Sequence, residues 1–279
     1  MHCTVRIECT NKDGECSFGT GFLFVLLEKG GTDNVPVFVT NKHVVENGIK
    51  AKFQLTLQKK DGSPDLGNHW SIDFENLNNS CIYHPDPEID LAIFPAGKLI
   101  NEAAKNGINF FVTPLSKAYM PSQSTIESFS AMENILMIGY PNALWDSVNN
   151  LPIIRRGVTA TPYNVDYEGK REFLIDAACF PGSSGSPVFI VNLGSKVDKS
   201  GNFHMPINEM HFLGVLYAGP QQTIEGDIHV VPIPTGSKSI SVSAIPINLG
   251  FVIKSSVLYD FEPLLEERIK LEQLSNNAN

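Results

Sequence analysis

Apolar and polar residues alternate in short stretches along most of this chain, and only near the end does their spacing lengthen to that of a helix. Val5, Ile7 and Cys9 alternate with polar neighbours and predict a strand over 4–9. Gly19-Thr20-Gly21 runs straight into Phe22-Leu23-Phe24-Val25. Val37-Phe38-Val39-Thr40 follows a loop rich in Gly, Asp, Asn and Pro, so the two runs are expected to pair as a hairpin. Further strands are expected at 51–58, 70–74 and 91–94, with a helical turn over 98–106. A connector over 109–124, carrying Pro114 and Pro121, leads to a second set at 134–139, 153–159, 172–177, 186–191, 211–217 and 249–253. Over 256–274, Leu258, Phe261, Leu264, Leu265, Ile269 and Leu271 fall on one helical face. Pro263 is compatible only with a first turn, so the helix is expected to begin near Asp260 and to pack back on the second set of strands, with 276–279 frayed.

Many short strands with turn signals between them and almost no helix predict an all-β protein. The connector divides the strands into two sets. The expected architecture is two packed six-stranded antiparallel β-barrels with a C-terminal helix, residues 1–112 forming the first barrel and 113–279 the second barrel and helix.

Composition narrows the function classes. Of 279 residues 42% are hydrophobic and 18% charged, enough for a sizeable core without disulfides or metals. The net charge of −9 argues against nucleic acid and anionic membrane surfaces as partners, and Lys59-Lys60 and Arg155-Arg156 are isolated basic pairs. Apolar runs such as 22–27 are too short to span a bilayer. The first residues hold no apolar stretch of signal-peptide length, which leads to an expected cytoplasmic location. The five cysteines show no metal-ligand spacing, so free, mostly buried thiols are expected, with no metal and no cofactor.

One stretch calls for a chemical reading: Cys179-Phe180-Pro181-Gly182-Ser183-Ser184-Gly185-Ser186-Pro187-Val188. A nucleophilic serine needs a tight turn and backbone N–H groups aimed at developing negative charge. Ser184 is the candidate nucleophile, with the Gly182 and Ser184 amides as candidate oxyanion donors. Alone, the segment reads equally well as a surface turn. A serine needs a base, and the base needs a carboxylate. Of seven histidines, His69, His84, His204 and His229 sit in turn-like contexts, whereas His43 joins the end of a strand to a short helical turn closed by Gly48. Asp90 stands at the mouth of the apolar run Leu91-Ala92-Ile93-Phe94.

Gly-Thr-Gly-Phe-Leu, Val-Thr-Asn-Lys-His-Val-Val, Asp-Leu-Ala-Ile and Pro-Gly-Ser-Ser-Gly-Ser-Pro-Val occur in the order His, Asp, Ser. With Gly139-Tyr140-Pro141, Asp176-Ala177-Ala178 and the run 248–253, the chain resembles the trypsin-fold serine peptidases over most of its length. The resemblance is greatest to the bacterial HtrA-like and glutamyl-endopeptidase-like branches, here without a PDZ domain. It implies His43 as general base and acid, Asp90 as its orienting carboxylate and Ser184 as nucleophile, acting on a protein or peptide substrate through an acyl-enzyme. Ser183 and Ser186 depart from the residues more usual at those positions. The implied substrate pocket is walled by Ala178, Cys179 and Phe180 and by Leu216, Tyr217 and Ala218. Its base falls near Ala178, and Leu216 stands where glutamate-specific relatives place a histidine. An uncharged pocket implies a small or medium apolar residue at the cleaved position. Loops over 142–152, 192–210 and 220–247 are read as surfaces for substrate or for a regulatory partner protein. Two other readings use the same residues: a catalytically silent binding or scaffold module, and an esterase or self-cleaving enzyme.

Overall fold

A computed structural model describes residues 1–28, 34–75, 77–197, 200–227, 240–246 and 248–277. Seven strands from the first third form one antiparallel sheet: β1 (Thr4–Asn11), β2 (Cys16–Leu26), β3 (Val35–Thr40), β4 (Gly48–Gln58), β5 (Pro64–Glu75), β6 (Ile82–Tyr83) and β7 (Ala92–Pro95). Their order is β5-β4-β1-β2-β3-β7-β6. The expected hairpin is β2–β3, with Phe22 opposite Val39. Short helices α1 (Lys42–Val45), α2 (Leu77–Ser80) and α3 (Gly97–Lys105) follow β3, β5 and β7.

This sheet has one strand more than expected, and among the described residues no ladder joins its outer strands β5 and β6. β6 is only two residues long, because Pro85 and Pro87 follow it and have no N–H to donate. The sheet nevertheless curls until side chains meet across the opening. Phe74 on β5 lies 5.1 Å from Phe94 on β7, and both rings touch Phe53, which stacks on Phe38. Phe38, Phe53 and Phe94 are fully buried, so apolar packing completes what backbone hydrogen bonds leave open.

The connector contains α4 (Gln123–Ser128), capped by the Ser122 hydroxyl, which accepts the Thr125 N–H at 3.2 Å. Beyond it lie β8 (Asn134–Gly139), β9 (Ile153–Thr159), β10 (Glu172–Asp176), β11 (Pro187–Val197), β12 (Phe203–Ala218), β13 (Gln221–Asp227), β14 (Ile240–Pro246) and β15 (Leu249–Lys254). Six of them close a barrel in the order β10-β15-β12-β11-β8-β9. Two expected loops are strands instead. Residues 192–197 and 203–210 extend β11 and β12 into a hairpin arm, and 220–247 contains the separate ribbon β13–β14. The alternation of Ile240, Val242 and Ala244 is the pattern behind the ribbon. The Val-Val-Pro-Ile-Pro-Thr-Gly run and His229 lie outside the described residues.

Between the sheet and the barrel lies a shared core. Phe22, Phe24, Val39 and Ile93 come from the sheet, and Phe189, Phe212, Val215 and Ile253 from the barrel. Residues Ser255–Phe261 form a 3₁₀ segment that buries Val257, Leu258 and Phe261 in this core. α5 (Glu262–Asn277) follows, with Pro263 in its first turn. The helix does not simply return to the barrel. Glu262 accepts the Leu27 N–H at 3.0 Å, and Leu265 and Ile269 face Val35, Pro36 and Pro95 across a groove. Leu271, assigned to the apolar face from its spacing, is exposed. Asn276 and Asn277 remain helical.

Candidate active site

β3 delivers its last residue, Thr40, to the boundary between the two units, and α1 begins two residues later. His43 is therefore held at the start of a helical turn, with its side chain 44% exposed. Asp90 lies just before β7, the neighbour of β3 in the sheet, so strand pairing sets the distance between them. Asp90 Oδ2 lies 2.5 Å from His43 Nδ1, and Oδ1 accepts the His43 backbone N–H at 2.9 Å. The buried Asn41 donates its side-chain amide to the Asp90 carbonyl at 2.7 Å. Two contacts to one carboxylate fix both the position and the ring orientation of the histidine, and they leave Nε2 for another partner.

Ser184 arrives from the barrel. Thr20 on β2 draws it to the sheet through three contacts. The Thr20 N–H donates to the Ser184 carbonyl at 2.8 Å, and the Thr20 hydroxyl donates to the Gly182 carbonyl at 3.0 Å. That hydroxyl also accepts the Tyr140 N–H at 3.0 Å. The Thr40 hydroxyl donates in turn to the Thr20 carbonyl at 2.8 Å, which joins the serine loop to the strand that ends beside His43. Ser184 Oγ and His43 are not hydrogen-bonded to each other.

The loop itself is tightly specified. Gly182 has φ +83°, and a Cβ there would meet the Tyr140 carbonyl oxygen at 2.6 Å. Gly185 has φ +86°, and a Cβ there would lie 1.9 Å from the Thr20 carbonyl oxygen. The Pro181 carbonyl accepts from Asn142 N–H at 2.6 Å and the Ser183 carbonyl from Ser186 N–H at 3.0 Å. In a trans peptide the N–H points opposite to the C=O. Anchoring these two carbonyls therefore turns the Gly182 and Ser184 amides the other way, and neither amide donates to any described residue. Two adjacent unspent N–H groups are what a developing oxyanion requires.

A cavity of about 310 Å³ adjoins Ser184. Cys179, Phe180, Pro181 and Ser183 line one side and Leu216, Tyr217, Ala218 and Gly219 the other, with no charged side chain among them. Ala178, expected at the base, does not line it; its carbonyl accepts from Arg155 at 2.5 Å. Burial pushes the Cys179 thiol up to about 11, so it stays protonated and inert at neutral pH. Burial also raises the Tyr217 phenol, whose hydroxyl donates to Glu172 at 2.8 Å.

Matched against family models, residues 19–195 fit the trypsin-like peptidase domain. The chain belongs to that family. Its solved structural neighbours include the protease Anisep from Arthrobacter nicotinovorans, 15% identical with 94% of this chain and 95% of that one covered, at a TM-score of 0.47. Another is the scabies mite inactivated protease paralogue S-I1, 13% identical over 96% and 95% of the two chains, at a TM-score of 0.44. No curated protein matches the chain in sequence.

Several residues of this trypsin-like peptidase domain escaped sequence reasoning. Thr20 and Thr40 stand inside the Gly-Thr-Gly and Val-Thr-Asn motifs, but only their burial and hydrogen bonds show that they join sheet to barrel. Arg155 read as half of an isolated basic pair. Alternation along β9 sends the two arginines to opposite faces, and Arg156 is the exposed one. His84, placed in a turn from its sequence context, has a fully buried side chain with Nε2 3.2 Å from Asp260, because the 3₁₀ segment covers it. Among the described residues no group of His, Cys, Asp and Glu could hold a metal, and no helix is long and apolar enough to cross a membrane. All five cysteines are free thiols, four of them buried and Cys16 exposed.

Proposed function

We propose that the protein is a serine endopeptidase in which Ser184 attacks the substrate carbonyl, His43 moves the protons and Asp90 orients His43. The observation that carries this reading is the double grip of Asp90 on the ring and backbone of His43 at the end of β3. Ser184 Oγ bonds to the scissile carbonyl carbon as its proton passes to His43 Nε2. The resulting oxyanion is held by the Gly182 and Ser184 amides. Collapse expels the amine, which takes the proton from His43, and leaves an acyl-enzyme. Water then repeats the sequence, losing a proton to His43 and releasing the acid and the free serine. The uncharged cavity wall favours a small or medium apolar side chain at the cleaved position.

Fluorophosphonate labelling of purified wild type, Ser184→Ala and His43→Ala tests the assignment. Labelling is expected in wild type alone, and profiling with fluorogenic peptides should rank uncharged residues above Arg or Glu at the cleaved position. A folded wild type that does not label would favour the silent binding module, the reading that the missing Ser184–His43 hydrogen bond would support. Hydrolysis of small esters but not of peptides would favour an esterase.

A further inference from the structure

The guanidinium of Arg155 reaches the serine loop and has no part in these roles. Its backbone is fixed in the barrel, where β9 pairs with β8 and Arg155 stands opposite Met137. Its side chain reaches the serine loop, and a single nitrogen, Nη1, donates to the Ala178 carbonyl at 2.5 Å and to Ser183 Oγ at 2.8 Å. No carboxylate pairs with it among the described residues, and Nε and Nη2 are buried without a partner. Burial lowers the pKa of the guanidinium from its ordinary value. A largely buried cation without a carboxylate partner is costly to keep.

Its partners indicate a reason for it. Ser183 is 1% exposed, and its hydroxyl also accepts the Phe180 N–H at 3.3 Å while its own N–H donates to the Phe180 carbonyl at 3.0 Å. The contacts to Ala178 and Ser183 thus clamp both ends of the turn that leads into Gly182 and Ser184. The carbonyl of Ser183 belongs to the same peptide unit as the Ser184 amide, so a fixed Ser183 fixes that donor. We propose that Arg155 is a positioning residue for the oxyanion hole, a strut that passes the rigidity of the barrel to the loop carrying the Gly182 and Ser184 amides.

The proposal rests on the reading of Ser184 as nucleophile, and its test includes a measurement that needs no substrate. Hydrogen–deuterium exchange over 178–184 in the full chain should rise at least about tenfold in Arg155→Met while the rest of the barrel is unchanged. Turnover of a good peptide substrate should fall about 100-fold with KM nearly constant, as when an oxyanion donor is lost. Arg155→Lys should recover part of that loss, and added guanidinium should restore Arg155→Ala saturably. Ser183→Ala, which removes one anchor and leaves the cation, gives an intermediate loss and keeps the test open if Arg155→Met does not fold. Unchanged exchange over 178–184 would overturn the strut whether or not the wild type labels with fluorophosphonate. So would an intact kcat with KM raised only for substrates acidic at the cleaved position, which would make Arg155 a reader of substrate charge. A wild type that never labels, with exchange raised in Arg155→Met, overturns the nucleophile reading and leaves the strut standing.

Discussion

Thr20 carries more of the site's geometry than any titratable group. Fully buried, its hydroxyl accepts the Tyr140 N–H and donates to the Gly182 carbonyl, and Ser186 Oγ lies 3.4 Å away. Thr20→Val keeps the shape and removes all three hydrogen bonds, stranding the buried Tyr140 N–H and the part-buried Gly182 C=O. The expected cost is about 2–4 kcal/mol in urea denaturation, from two unmet backbone groups. Turnover should fall on the order of 10²-fold, because the serine loop loses its tie to the sheet that holds His43. Normal turnover in a folded Thr20→Val protein would show that the remaining backbone contact suffices. The candidate nucleophile, base and carboxylate could be named from the sequence because four motifs in the order His, Asp, Ser resemble those of trypsin-fold peptidases, although each context alone reads as an ordinary turn, strand end or cap. Thr20 and Arg155 could not, since their importance lies in which carbonyls they reach across more than twenty residues of chain.

At the scale of elements, chain pattern foretold the central strands well and the sheet edges less well. β8 and β9 fall where alternation placed them, and so does the β2–β3 hairpin. The hairpin arm was missed because it stands away from the core, with Leu193, Phe203 and Met205 exposed, and the β13–β14 ribbon because its short alternation of Ile240, Val242 and Ala244 lies within a stretch read as one long loop. The opening of the N-terminal sheet was equally hidden, since closure there depends on aromatic rings that meet across β5 and β7. Phe53 is the hub of that cluster, with Phe38, Phe74 and Phe94 each within 5.1 Å. Phe53→Ala should cost about 3–5 kcal/mol by denaturant titration, through lost burial and a cavity that strand backbones cannot close. A loss below about 1 kcal/mol would mean that the sheet is held by its ladders alone.

Across the whole molecule, the C-terminal segment fastens barrel to sheet. Arg171, just before β10, pairs with Asp260, which also faces the buried His84 ahead of β7. Arg171 holds the Asp260 carboxyl below its ordinary value of 3.8, with His84 adding to the effect. A depressed carboxylate contributes stability that is fully present above the unfolded value and is lost as pH falls through the folded one. The Tm gap between wild type and Asp260→Asn should therefore be constant at neutral pH and close below about 3.8. It should also narrow in high salt, because both groups are partly exposed. A gap that survives acid unchanged would assign the effect to packing.

A second fastening lies on the opposite course of the chain. Trp145, in the turn after β8, sits over the nearly buried Arg6 of β1 at 4.1 Å, and Phe18 of β2 approaches the same guanidinium at 4.6 Å. Asn150 of the same turn donates its side chain to Gln54 and Thr56 of β4. The chain has two tryptophans, and the other, Trp70, is 53% exposed on β5. One indole is thus seated where the barrel meets the sheet while the other already faces water. In a Trp70→Phe background the emission of the protein becomes an optical gauge of that seam, dimming or shifting when the two units part and silent to motion elsewhere.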